Sequence, residues 1–92
     1  MKNKLEYRKL ERIVKGFANH RRLQILELLK RQPELSIQEV AEQVKSDEKN
    51  VSSHVNKMAI SGLVIKRNDI RSVRLKLTKR GSIILKFVRM LE

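Results

Sequence analysis

The sequence predicts a mainly α protein with one small β-hairpin, in the order α-α-α-α-β-β-α. Three observations carry that prediction. Apolar residues recur at helical spacing up to Gly62, the period then changes to two, and helical spacing returns after Thr78. The chain has 92 residues, enough for one domain (1–92) and too few for two. Hydrophobic content of 40% beside 35% charged residues suits a chain that folds rather than stays disordered.

The elements follow in order. Leu10, Ile13, Val14 and Phe17 repeat on one side of a first amphipathic helix between Lys4 and Phe17. Asn19 can cap a second helix, and Leu23, Ile25, Leu26, Leu28 and Leu29 are dense enough to make that helix central to the core. Pro33 closes it, and Gly16, Pro33, Gly62 and Gly81 are the main breaks along the chain. Ser36 and Glu39 form an S-x-x-E capping box that opens a third, short helix with Ile37, Val40, Ala41 and Val44 inward. Asp47 can cap a fourth, in which Val51, Val55 and Met58 share one face. Gly62 stands where a left-handed helix terminator is wanted, and Leu63 can pack back on the last turn. Leu63, Val64 and Ile65 then make one strand. Val73, Leu75 and Leu77, alternating with Arg74 and Lys76, make the second, with a polar turn at Asn68-Asp69 between them. Thr78 caps a last helix whose apolar positions are Ile83, Ile84, Phe87, Val88 and Leu91.

Charge narrows the partner. Twenty-two Lys and Arg against ten Asp and Glu leave +12, a field that attracts polyanions. An anionic membrane would answer the same charge, so charge alone does not decide between them, although no apolar run is long enough to span a bilayer. Single-stranded nucleic acid is disfavoured, because Tyr7, Phe17 and Phe87 are the only aromatic residues available for stacking. Duplex DNA is favoured. The basic N-terminus lacks the apolar core of a secretory signal and there is no cysteine, so a cytoplasmic location without disulfides is expected.

Two short helices separated by a tight turn at about Lys45 to Asp47 have the spacing of a helix-turn-helix. In that motif the second helix enters the major groove, so its outward face must carry donors and acceptors for base edges. With Val51, Val55 and Met58 inward, the segment of about 47–61 turns Lys49, Asn50, Ser53, Asn56 and Lys57 outward, with Ser52 and His54 on the flanks. A solvated helix face would look alike in isolation. The tight turn before it and the hairpin after it favour a reading face. The hairpin, 66–74, offers Lys66, Arg67, Asn68, Arg71 and Arg74 to flanking phosphates or a minor groove, though such charges also guard an exposed strand edge. Gln38 can reach a phosphate. His20, Arg21 and Arg22 could do so at the start of the second helix, but Arg22 is better read as structural, paired with a glutamate inside the domain.

No metal site or cofactor is expected. His20 and His54 stand at different helix positions without a partner ligand, and His54 is read as a groove-facing or packing residue. With no cysteine nucleophile, glycine-rich phosphate loop or carboxylate pair in an apolar setting, no enzyme is expected either. The terminal helices carry more apolar residues than a monomer of this size can hide, which points to an interface.

The stretches FANHRRLQILELL, SIQEVAEQV with NVSSHVNKM, SGLVIKR and LTKRG together resemble the ArsR-like winged helix-turn-helix regulators, with MarR-like regulators as relatives. The resemblance spans about Phe17 to Gly81. It implies a repressor whose Asn50, Ser52, Ser53 and His54 lie at the groove-reading end of the fourth helix. It also implies a homodimer joined through the first and last helices, on Leu10, Ile13, Val14, Phe17, Ile84, Phe87, Val88 and Leu91. Two departures stand out. The turn has Lys45 where glycine is usual and Ser46 where an apolar residue is common. The metal-sensing positions are also empty of ligands, since the third helix has no Cys and the last has no His and only Glu92 acidic. Three functions follow in order of preference: a sequence-specific dimeric regulator of double-stranded DNA, a weakly specific architectural DNA coater, and a winged-helix protein-interaction module.

Overall fold

Every helix begins on a side chain that accepts a backbone N–H, and these caps set the element boundaries. In the computed structural model, which describes residues 3–92, α1 (Lys4–Phe17) starts on Asn3, α2 (His20–Arg31) on Asn19 and α3 (Ile37–Val44) on Ser36. Asp47 caps α4 (Glu48–Ile60) and Thr78 caps α5 (Lys79–Arg89). Both halves of the Ser36–Glu39 capping box form, at 2.9 and 3.1 Å. Between α4 and α5 lie β1 (Val64–Asn68) and β2 (Val73–Leu77), antiparallel, with register running from Val64 opposite Leu77 to Asn68 opposite Val73. The order is therefore α-α-α-α-β-β-α, as the period changes predict.

Gly62 takes φ +76° and completes a Schellman motif. Its N–H reaches the Ala59 carbonyl at 3.0 Å, and the Leu63 N–H reaches that of Met58 at 2.9 Å. Leu63, expected in the first strand, instead belongs to this cap and is fully buried. The strand after it runs on to Asn68, so the hairpin loop is residues 69–72, closed by Asp69 N–H donating to Ser72 O at 2.8 Å. A third edge was not foreseen. Glu34 N–H donates to Leu75 O at 3.0 Å and Leu75 N–H to Leu35 O at 2.9 Å, so the segment before α3 lies along the free side of β2.

Gly16 and Gly81 are not breaks. Both are buried inside helices, where neighbours approach too closely for a side chain. A Cβ on Gly16 would overlap the Ser61 side chain, and one on Gly81 would overlap the Leu63 carbonyl oxygen.

The core forms around α2, from Ile25, Leu26 and Leu29, closed by Val40 of α3 and by Leu63 and Leu75. From α4 it receives Val51, Val55 and Met58, each at 0% exposure. Burial of each such side chain is worth about 1.5–3 kcal/mol. These three residues fix the rotation of α4 about its axis and leave its opposite side open.

Candidate nucleic-acid interface

The turn between α3 and α4 holds its shape without glycine. Lys45 adopts a left-handed φ of 56°, and the Ser46 N–H reaches the Ala41 carbonyl at 3.0 Å, so the chain reverses as a glycine turn would. Arg21 of α2 grips the same turn from below, its Nη1 donating to Val44 O at 2.6 Å. Asp47 then starts α4, accepting from the Asn50 N–H at 2.7 Å and from Asn50 Nδ2 at 3.2 Å.

On the open side of α4, Lys49, Asn50, Ser53, Asn56 and Lys57 are exposed and Ser52 is half-buried. One cleft, between the starts of α3 and α4 and the hairpin, brings together Gln38, Lys49, Ser52 and Arg71 from three elements. Asn56 Oδ1 accepts from Lys66 Nζ at 2.6 Å, tying α4 to β1. Such a surface offers amide, hydroxyl and ammonium groups at the edge of a helix narrow enough for a major groove.

His54 faces inward more than its neighbours. It is half-buried, and its Nδ1 accepts from Arg22 Nε at 3.0 Å. Burial, then the charges of Arg22, Lys57, Arg21 and His20, lower its pKa below the ordinary 6.5. Arg22 is structural, but its partner is not the glutamate that the sequence suggests. Its Nη1 donates to Lys15 O at 2.7 Å, in the last turn of α1, where the helix dipole offers partial negative charge.

The hairpin cations divide into two groups. Arg67 pairs with Glu34. Arg74 reaches Glu39 Oε1 at 3.0 Å and Asp69 Oδ2 at 3.8 Å, and also donates to Glu34 O at 3.3 Å. Both arginines therefore fasten the hairpin to α3 and its approach. Arg71 and Asn68 stand exposed near the tip, with Ile70 at 98% exposure between them. The roles of Glu34 and Arg21 in this assembly are not legible in the sequence, because partners 23, 33 or 40 residues apart leave no mark on local spacing.

Of the apolar residues on the terminal helices, Leu10, Val14, Phe87 and Leu91 are exposed, while Ile13, Phe17, Ile84 and Val88 are half-buried. Tyr7, Ile83 and Met90 on these helices are exposed as well. Among the described residues α1 rests on α2 and α4, and α5 on α2 and β2, without substantial contact between α1 and α5. No cluster of His, Cys, Asp or Glu among the described residues could hold a metal ion, and no described helix is long and apolar enough to cross a membrane.

A family model described as HVO_A0114 matches residues 18–80, from the start of α2 to the start of α5. The chain belongs to the HVO_A0114 family. Within the HVO_A0114 match fall the helix-turn-helix and the hairpin, and the solved structures similar to this chain carry the same elements. The transcriptional regulator HlyU from Vibrio vulnificus CMCP6 is 30% identical over 95% of this chain and 91% of its own, with a TM-score of 0.74. HlyU from Vibrio cholerae N16961 is 27% identical over 97% of both chains, with a TM-score of 0.80. A homodimeric winged helix-turn-helix DNA-binding domain from Mycobacterium bovis, a possible ArsR-family regulator, shares the fold at 22% identity, covering 99% of this chain and 86% of its own, with a TM-score of 0.86. MarR-family regulators match as well. No curated protein matches this HVO_A0114 member by sequence. The structural neighbours are thus ArsR/HlyU-type winged helix-turn-helix regulators.

Proposed function

We propose that this chain is a homodimeric transcription regulator, a single winged-helix domain without catalytic activity, that reads double-stranded DNA and represses by occupying its site. The observation that carries the reading is the burial of Val51, Val55 and Met58, which leaves the polar side of α4 beside an exposed hairpin tip. Asn50 and Ser53 would face base edges, Lys49 and Lys57 guanines or phosphates, and Gln38 and Ser52 the strand beside them. Arg71 and Asn68 would lie on the flanking minor groove, while Lys66, Arg67 and Arg74 keep the hairpin in place. A net charge of +12 supports a polyanionic partner in the cytoplasm. The Vibrio vulnificus HlyU is a transcriptional regulator by name, and the Mycobacterium bovis domain is by name a homodimeric DNA-binding domain.

Selection from a pool of random duplexes tests the proposal. The wild-type chain should enrich one roughly palindromic sequence, and placing that sequence over a promoter should lower reporter transcription when the protein is present. Asn50→Ala should change which bases are enriched, costing about 1–3 kcal/mol at its own base pair. Arg71→Ala should weaken all duplexes alike. Equal, sequence-blind binding by all three proteins would replace the regulator with a DNA coater, and no duplex binding would leave a protein-interaction module.

A further inference from the structure

On the far side of α4 from the hairpin, a second polar surface adjoins the first. A groove runs between α1 and the C-terminal half of α4, and Arg8, Arg12, Lys15, Arg22 and Lys57 line it, with Ile60 and Ser61 at its α4 wall. Arg8 and Arg12 stand one helical turn apart on the same side of α1, both exposed, and neither holds an ion pair among the described residues. Among the described residues Glu11 is the one carboxylate along the groove, and it is already engaged by Lys15 at 3.5 Å. Arg22 lies at the base, 9% exposed, its guanidinium held by a carbonyl and an imidazole rather than by a carboxylate. Five cationic side chains thus line the groove against one carboxylate among the described residues, and that carboxylate pairs with Lys15. The His54 imidazole accepts from Arg22 in the same corner, and burial first, then the charges of Arg22 and Lys57 among others, lower its pKa.

Lys57 belongs to both surfaces, since it lies on the open side of α4 and also lines the groove. From this juxtaposition we infer that the groove between α1 and α4 is a second contact to the DNA backbone, in which Arg8 and Arg12 hold phosphates of the duplex read by α4. The inference rests on the DNA-reading function proposed above and extends its footprint. If two protomers join through α1 and α5, the two grooves flank the symmetry axis. Their phosphates then belong to the stretch between half-sites, where no base contact is needed. Contacts of this kind position the protein and carry no sequence information.

The test compares the wild-type chain with an Arg8→Ala/Arg12→Ala double variant on the selected duplex and on random duplex, by fluorescence anisotropy across a salt series. Both side chains are exposed and without an ion pair among the described residues, so the variant should keep the wild-type melting temperature and sedimentation. The slope of log affinity against log salt should become shallower by about 1.8, from two phosphate contacts at about 0.9 each. The order of preferred sequences should not change, and hydroxyl-radical protection should fade between the half-sites while persisting under the hairpin. An unchanged slope with intact wild-type binding overturns this inference alone. Wild-type protein that binds no duplex overturns both readings. Saturable binding of inorganic phosphate, abolished by the double variant while the DNA slope stays the same, makes the groove a free-anion site and also overturns the backbone assignment.

Discussion

His54 and Arg22 meet in a contact that depends on the proton the imidazole carries. Nδ1 accepts from Arg22 Nε, so it must be unprotonated, and a second proton would set two cations against each other. Burial and the surrounding cations hold the folded-state pKa below 6.5. The unfolded chain therefore takes up this proton first as pH falls, and stability is lost progressively from the unfolded value of 6.5 down to the folded one. The melting temperature should therefore fall as pH drops through 6.5 toward the lower, folded-state value. His54→Gln, which keeps an acceptor for Arg22 but cannot titrate, should flatten that drop, and an equal drop in both proteins would place the proton uptake elsewhere. Glu39 does not confuse this window. Its carboxylate accepts from the Ser36 N–H at 2.9 Å, and hydrogen bonding with Ser36, then the charge of Arg74, holds its pKa below 4.5, so its contribution is present above that pH and declines only as pH falls toward the folded value. At Lys45 the chemistry is steric instead. A left-handed non-glycine residue costs about 1–2 kcal/mol, and the two carbonyl bonds of the turn together with the Arg21 grip on Val44 offset it.

Elements of this protein meet most closely at glycines, and α5 depends on one of them. Gly81 lies in the first turn of α5 against the Leu63 carbonyl and Leu77, while Thr78 Oγ1 donates to Gly62 O at 2.6 Å and Arg80 Nη1 to Ser61 O at 2.9 Å. Gly81→Ala should force α5 away from the end of α4 and lower stability by about 1–3 kcal/mol, read as a lower denaturant midpoint with unchanged m-value. An unchanged midpoint would show that the helix can shift freely. This close packing explains what the sequence could and could not convey. Element order was legible because Ser36, Glu39, Asp47, Gly62 and Thr78 act on neighbours within four residues, and because the period of apolar residues records which side is buried. The inward side of α4 was legible for the same reason. Gly16 and Gly81 looked like breaks because a helix crossing and a chain terminator both call for the smallest residue. The hairpin arginines looked equally available for DNA, and only the fold brings Glu34 to Arg67 and Glu39 to Arg74. The edge formed by residues 34–36 along β2 left no alternation to detect.

Across the whole molecule, the unpaired surface is distributed unevenly, and that asymmetry leads to the dimer. One side presents α4, the hairpin tip and the basic groove. The terminal helices present Leu10, Val14, Phe87 and Leu91 at 44–69% exposure, rows of apolar side chains that nothing within the chain covers. In the homodimer proposed above, a second copy would cover these rows, with the two-fold axis at α1 and α5 and both α4 helices turned toward one duplex. Two α4 helices about 34 Å apart would then meet successive major grooves of a single duplex. Sedimentation of the wild-type chain should give twice the mass of one chain. Val14→Glu/Phe87→Glu changes two side chains that are half or less buried, so each protomer should keep its helical spectrum while the dimer dissociates. Linking two half-site contacts raises affinity by roughly 10²–10⁴-fold, and the double variant should lose about that much on a palindromic duplex while binding an isolated half-site as the wild-type protomer does. If the variant instead bound the palindrome undiminished, each protomer would be reading DNA alone, and the apolar rows would have to serve some other partner.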